Sequence, residues 1–206
     1  MDSQAKADGY LPDNQRYTLD EYFELEYKSE FKHEYHDGKI IRCAYTSESH
    51  GIIVHNLDFL LGSCLRHTDC QIFTGDRMLY TEQCKSIFYP DLILICGKRE
   101  NYQYSKNMVA TKNPTVLIEV LSATTYDVDR SKKMRCYRKI PSLKQYILVE
   151  QDFKMIEVFE RDNNKRWTAK IFEEEDDILK IGDCEIPLKE IYHKVELIEP
   201  DSASGD

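Results

Sequence analysis

The chain has 206 residues, a net charge of −9 at neutral pH, 41% hydrophobic residues and 11% aromatics. That is the length of one globular domain with a sizeable core, and Gly and Pro are too few for a fibrous or disordered class. No apolar run approaches the roughly 18 residues of a membrane-crossing helix, and MDSQAKADGYLPDNQRY lacks the apolar centre of a secretory signal, so a soluble cytoplasmic protein without membrane partners is expected.

Residues 1–16 read as a flexible leader, 17–198 as one domain and 199–206 as a flexible tail, because both ends are polar and aperiodic. Thr18 and Glu21 have the spacing of a capping box and open a short helix, LDEYFELEYK. In FKHEYHDGKIIRCAY, Asp37-Gly38 separates two β-capable runs and predicts a tight hairpin. Ser47 or Ser49 can then cap a helix whose Ile52, Ile53, Leu57, Leu60, Leu61, Cys64 and Leu65 recur at helical spacing. Strands follow at CQIFTG, RMLYT, IFYPDLILIC and 115–121. Asp127 or Thr125 is placed to cap a helix over about 127–139, which Pro141 closes before the strand QYILVE. KMIEVFER and RWTAKIFEE supply two more strands around the turn DNNK. This order predicts an α/β or α+β fold with a mixed sheet flanked by helices.

Seven cysteines are scattered with no C-x-x-C pair, and an odd count suggests reduced, buried thiols rather than a disulfide framework or a zinc site. Between Val128 and Gln145, seven Lys or Arg face the single acid Asp129. Such a run is either a solvated face or a track for a phosphate backbone.

Two apolar strands each carry a carboxylate: Asp91 enters PDLILIC and Glu119 lies inside VLIEVL. A buried carboxylate is costly to ionise without compensation. If the strands are neighbours, the pair can share a hard divalent cation. Taken singly, Asp91 also reads as a turn residue after Pro90, and Glu119 as the partner of a lysine. Asp129, Lys133 and Tyr137 fall at i, i+4 and i+8 on one helix face. They read either as an ordinary ion pair with a packed tyrosine, or as a group aimed at Glu119. Glu34 also fits a cross-strand partner for a lysine. His50 and His55, five apart, do not share a helix face as i and i+4 would, and His33 and His36 carry no clear signal.

The run YPDLILI…PTVLIEVLSATTYDVDRSKKMRCY…LKQYILVE resembles the Uma family of bacterial proteins described as restriction endonucleases, within the PD-(D/E)XK nuclease-like superfamily. HEYHDGKIIRC and SESHGIIVHNL extend the resemblance upstream. It implies a restriction-endonuclease-like core and a DNA endonuclease using Mg²⁺ or Mn²⁺. Asp91, Glu119 and the Val120 carbonyl would be metal ligands, Lys133 the catalytic lysine, and Glu34 and His50 supporting residues. By analogy with such nucleases a homodimer is expected. The superfamily pattern places a lysine two residues after Glu119, where this chain has Leu121. Lys133 is then the substitute, with Lys132 the close alternative. A non-cleaving nucleic-acid-binding or scaffold protein on a decayed nuclease fold is the competing expectation, and a phosphodiesterase for a small substrate a third.

Overall fold

The computed structural model describes residues 15–105, 108–122 and 126–198. Its first elements follow from local sequence chemistry. Helix α1 (Leu19–Lys28) begins at a complete capping box: Glu21 N donates to Thr18 Oγ1, and Thr18 N donates back to the Glu21 carboxylate. Strands β1 (His33–His36) and β2 (Lys39–Arg42) meet at Asp37 and Gly38, with φ of 47° and 96°. Two successive positive φ angles give the turn whose twist matches the strands. At Gly38 any Cβ would also come within 3.0 Å of the Arg16 side chain. Helix α2 (Glu48–Leu65) is capped by Ser47, which accepts from His50 N, and it buries Ile53, Leu57, Leu61 and Leu65 on one stripe. Ser49, the other candidate cap, donates instead to the Glu196 carbonyl.

The remaining strands are β3 (Cys70–Thr74), β4 (Leu79–Thr81), β5 (Ser86–Phe88), β6 (Leu92–Cys96), β7 (Asn101–Gln103), β8 (Val109–Thr111) and β9 (Val116–Leu121). After them come β10 (Gln145–Glu150), β11 (Ile156–Arg161), β12 (Trp167–Phe172), β13 (Ile178–Ile181) and β14 (Cys184–Pro187), and then a last helical turn, α4 (Leu188–Ile191). They form two six-stranded sheets, ordered β2-β1-β5-β4-β8-β7 and β12-β11-β10-β9-β6-β3, with β13 and β14 as a separate hairpin. Each large sheet is mixed: β9 and β10 run parallel, as do β4 and β8, and the other pairs are antiparallel. The architecture is α+β, with two sheets where one was expected.

The stretch IFYPDLILIC accounts for that difference. It reads as one apolar run, but β5 lies in one sheet and β6 in the other, with Tyr89-Pro90-Asp91 as the corner between them. Proline has no N–H for a ladder and disfavours continuation of a strand. The three-residue strands β7 and β8, the short β13–β14 hairpin and α4 are too short for a periodic signal and were not anticipated.

Strand β9 is buried along its whole length, as its unbroken apolar run suggests. Val116, Ile118 and Val120 face α2 and the β13–β14 hairpin, whereas Leu117 and Leu121 face Phe88, Tyr137 and Tyr146 on the other side. By alternation Glu119 shares the second face. The helical segment after β9 starts with a bond from Tyr126 N to the Ser122 carbonyl and widens into a π-helical turn, Val128–Lys133. It tightens into α3 (Met134–Tyr137). Asp127 is already helical and makes no capping hydrogen bond, which corrects its reading as a cap. Thr125 lies outside the described residues.

Six of the seven cysteines are paired, against the expectation of free thiols: Cys64 with Cys184, Cys70 with Cys96, and Cys84 with Cys136. Partners are 120, 26 and 52 residues apart, distances at which spacing carries no signal. Cys43 remains a thiol.

Candidate active site

Strands β6 and β9 are antiparallel neighbours, with Leu92 opposite Ile118. That register carries Asp91, one residue before β6, alongside Glu119. Asp91 Oδ2 accepts from Val120 N at 2.7 Å and lies 3.1 Å from His50 Nε2, so the first turn of α2 and the C-terminal end of β9 both hold it.

Glu119 is 3% exposed, and two donors converge on its Oε1: Lys133 Nζ at 3.1 Å and the Tyr137 hydroxyl at 2.9 Å. Lys133 Nζ also lies 3.0 Å from Asp129 Oδ1 and 3.2 Å from Glu34 Oε1. Glu34 is fixed from two further directions, by His36 Nε2 at 2.8 Å and by Tyr89 N at 3.3 Å. Asp129 and Lys133, i and i+4, are the two buried residues of the π-helical turn and share its inner side. The Tyr146 hydroxyl donates to the Asp129 carbonyl and fastens that turn to β10.

The electrostatics follow from this crowding. Burial pushes the Glu119 carboxyl well above its usual range; Lys133 opposes the shift, and Asp129, Asp91 and Glu34 add to it. Burial alone would lower the Lys133 ammonium, but Glu119 and Glu34, joined by Tyr137 and Asp129, hold it well above its ordinary value. Burial likewise works against the Glu34 carboxylate, yet Lys133 and His36 outweigh it and bring the group down to about 2. Burial, reinforced by Glu119, raises the Tyr137 phenol, which therefore stays a donor.

Glu34, His50, Asp91, Glu119, Val120, Asp129 and Lys133 all line one cavity of about 510 Å³. Tyr137 stands behind Glu119 without reaching the cavity, and Lys132 does not line it either. Glu34 faces Ile41 across the hairpin, so its lysine partner comes from the helix rather than from the neighbouring strand. His50 is buried against Asp91 rather than solvated. The basic run 128–145 is not one face: Lys133 is buried among carboxylates, Arg130 pairs with Glu150 and Glu157, and Arg138 lies over Phe159 and Trp167. Sequence reasoning passed over His36 and Tyr89, which orient Glu34; the alternation of β1 with Glu34 two residues from His36 was the available signal. Among the described residues no group of three or more His, Cys, Asp or Glu side chains is spaced to hold a metal ion.

Residues 19–185 match the family described as "Uma2: Putative restriction endonuclease". The chain belongs to the Uma2 family. An uncharacterised protein of Synechocystis sp., sll1609, is 31% identical over 151 residues, covering 73% of this chain and 84% of its own length. A second, slr1290, is 29% identical over 148 residues, covering 72% of this chain and 76% of its own. Among solved structures, that of "a putative nuclease belonging to DUF820" from Anabaena variabilis superposes with a TM-score of 0.69 at 19% identity. The match covers 85% of this chain and 97% of that one, and it shows a shared fold. The Uma2 match spans every element from α1 to β13 and ends inside β14, so the corner at Asp91 and the helix bearing Lys133 both lie within it.

Proposed function

We propose that this Uma2 protein is a Mg²⁺- or Mn²⁺-dependent endonuclease that hydrolyses DNA phosphodiester bonds, with Asp91, Glu119 and the Val120 carbonyl as metal ligands. One observation carries the reading: four carboxylates, Glu34, Asp91, Glu119 and Asp129, line a cavity in which Lys133 is the buried ammonium. Gathering four carboxyl groups around one ammonium is costly, and a further cation would hold Glu119 ionised against its burial. The donor set suits a hard one, because no hydrogen-bond donor among the described residues meets Asp91 Oδ1 or Glu119 Oε2. A bound divalent ion would lower the pKa of water and neutralise the scissile phosphate.

The protein's own groups have separable tasks. Lys133 keeps its proton at neutral pH, so it serves as a fixed positive charge beside the phosphorus rather than as a base. Tyr137 and Lys133 hold Glu119 Oε1 and leave Oε2 without a donor among the described residues. His50 and Val120 N do the same for Asp91. Glu34 and Asp129 keep the Lys133 head in place, a positioning task. Leu121 occupies the core side of β9, and the ammonium arrives from the helix instead of from that position. A homodimer completes the proposal.

The test is incubation of the pure protein with plasmid and short oligonucleotides in Mg²⁺, Mn²⁺ or EDTA. Metal-dependent cleavage that disappears in Asp91→Ala and drops by at least about 10²-fold in Lys133→Ala is expected. Binding without cleavage in every metal would replace this reading with that of a non-cleaving nucleic-acid-binding protein.

A further inference from the structure

The candidate catalytic groups lie deep. Glu119 and Lys133 are 3% and 5% exposed, at the bottom of a cavity of about 510 Å³, more room than a phosphate group alone requires. The lip of that cavity, between β2 and α2, has the opposite character. Tyr45 is 85% exposed and Ile41 43% exposed, and both line the opening. Between them Arg42 stacks its guanidinium over the Phe31 ring at 3.6 Å, and among the described residues it meets no carboxylate. Lys32, on the same rim, meets the well-exposed Asp76 and the Gly75 carbonyl and lies 5.8 Å from the centre of the Tyr89 ring, and among the described residues it pairs with no buried carboxylate.

An open aromatic ring beside cations is the combination that binds unpaired bases and their backbone, because every base presents a π-face and every phosphate a charge. An intact duplex offers neither a free base face nor a strand narrow enough to enter, and it resists local bending. We propose that this site takes single-stranded DNA, an unpaired base stacking on Tyr45 while the backbone passes Arg42 and Lys32 into the cavity. The inference rests on the nuclease reading and adds the class of substrate.

The experiment measures binding without metal, so it does not depend on turnover. Fluorescence anisotropy in EDTA compares a labelled single-stranded 15-mer with its duplex on the full chain, for wild type and Tyr45→Ala; the same two substrates are then incubated with Mg²⁺. Expected are at least tenfold tighter binding of the single strand, a loss on the order of tenfold for that strand in Tyr45→Ala, no change for the duplex, and preferential cleavage of the single strand. The exposure of Tyr45 makes the variant safe for folding, and a far-UV spectrum checks it. Equal or tighter binding of the duplex overturns the inference, as does a single-strand preference that Tyr45→Ala leaves intact. If the duplex is then cut in Mg²⁺ by wild type and not by Asp91→Ala, the nuclease reading stands while the inference falls; if neither substrate is bound or cut, both fall.

Discussion

Lys133 holds three carboxylates at 3.0 to 3.2 Å in a site that water barely reaches. Removing one partner of a buried ion cluster leaves the others uncompensated, so Lys133→Ala is expected to destabilise the fold by about 3–5 kcal/mol, read by urea denaturation. Adding Glu34→Gln should restore part of that loss, since one carboxylate fewer then lacks a partner. Glu34 also gives the acid limb of the stability profile. Its folded value, about 2, lies below the ordinary glutamate value of about 4.3, so its contribution is complete above about pH 4.3 and fades as pH falls towards 2. The amount is on the order of 3 kcal/mol, and Glu34→Gln should flatten this limb in denaturation curves taken from pH 5 to pH 2. The Lys133 shift has the opposite sense: its stabilisation is fully present below about pH 10.4 and is lost only as pH rises through the higher folded value.

Elements with local causes were readable from the chain alone. The capping box at Thr18, the Asp37-Gly38 turn and the stripe on α2 each depend on residues a few positions apart, and each is found where the spacing puts it. The alignment of Asp129, Lys133 and Tyr137 was readable for the same reason, although periodicity does not distinguish a π-helical turn from an α-helical one. Glu34 with Tyr89, the pairing of Cys64 with Cys184 and the division of IFYPDLILIC between two sheets are decided by contacts between distant segments, and no window of sequence contains them. Two expectations follow at this scale. Leu57→Ala, at a fully buried position on α2, should cost about 2–5 kcal/mol, measured by thermal or urea unfolding. Each disulfide should contribute about 2–4 kcal/mol, so the melting temperature falls in reductant, and Cys64→Ser with Cys184→Ser reproduces part of that fall in its absence.

For the molecule as a whole, a charge of −9 repels a polyanion at long range, so the proposed strand would depend on the local cations Arg42 and Lys32 at the cavity lip. A cation bound between Asp91 and Glu119 would change that balance where the strand enters. Replacing NaCl by MgCl₂ at matched ionic strength should therefore tighten oligonucleotide binding in wild type and not in Asp91→Ala, read by anisotropy on a substrate with non-hydrolysable linkages. The corner at Tyr89-Pro90-Asp91 carries a last consequence, one of folding order. Tyr89 N holds Glu34 of one sheet, and Asp91 two residues later holds Val120 of the other. The cavity thus exists only once both sheets have formed and met, and a partly unfolded species that has lost either sheet has already lost its site. Heat inactivation should accordingly run ahead of global melting, with hydrogen exchange at Tyr89 and Val120 amides reporting the first opening.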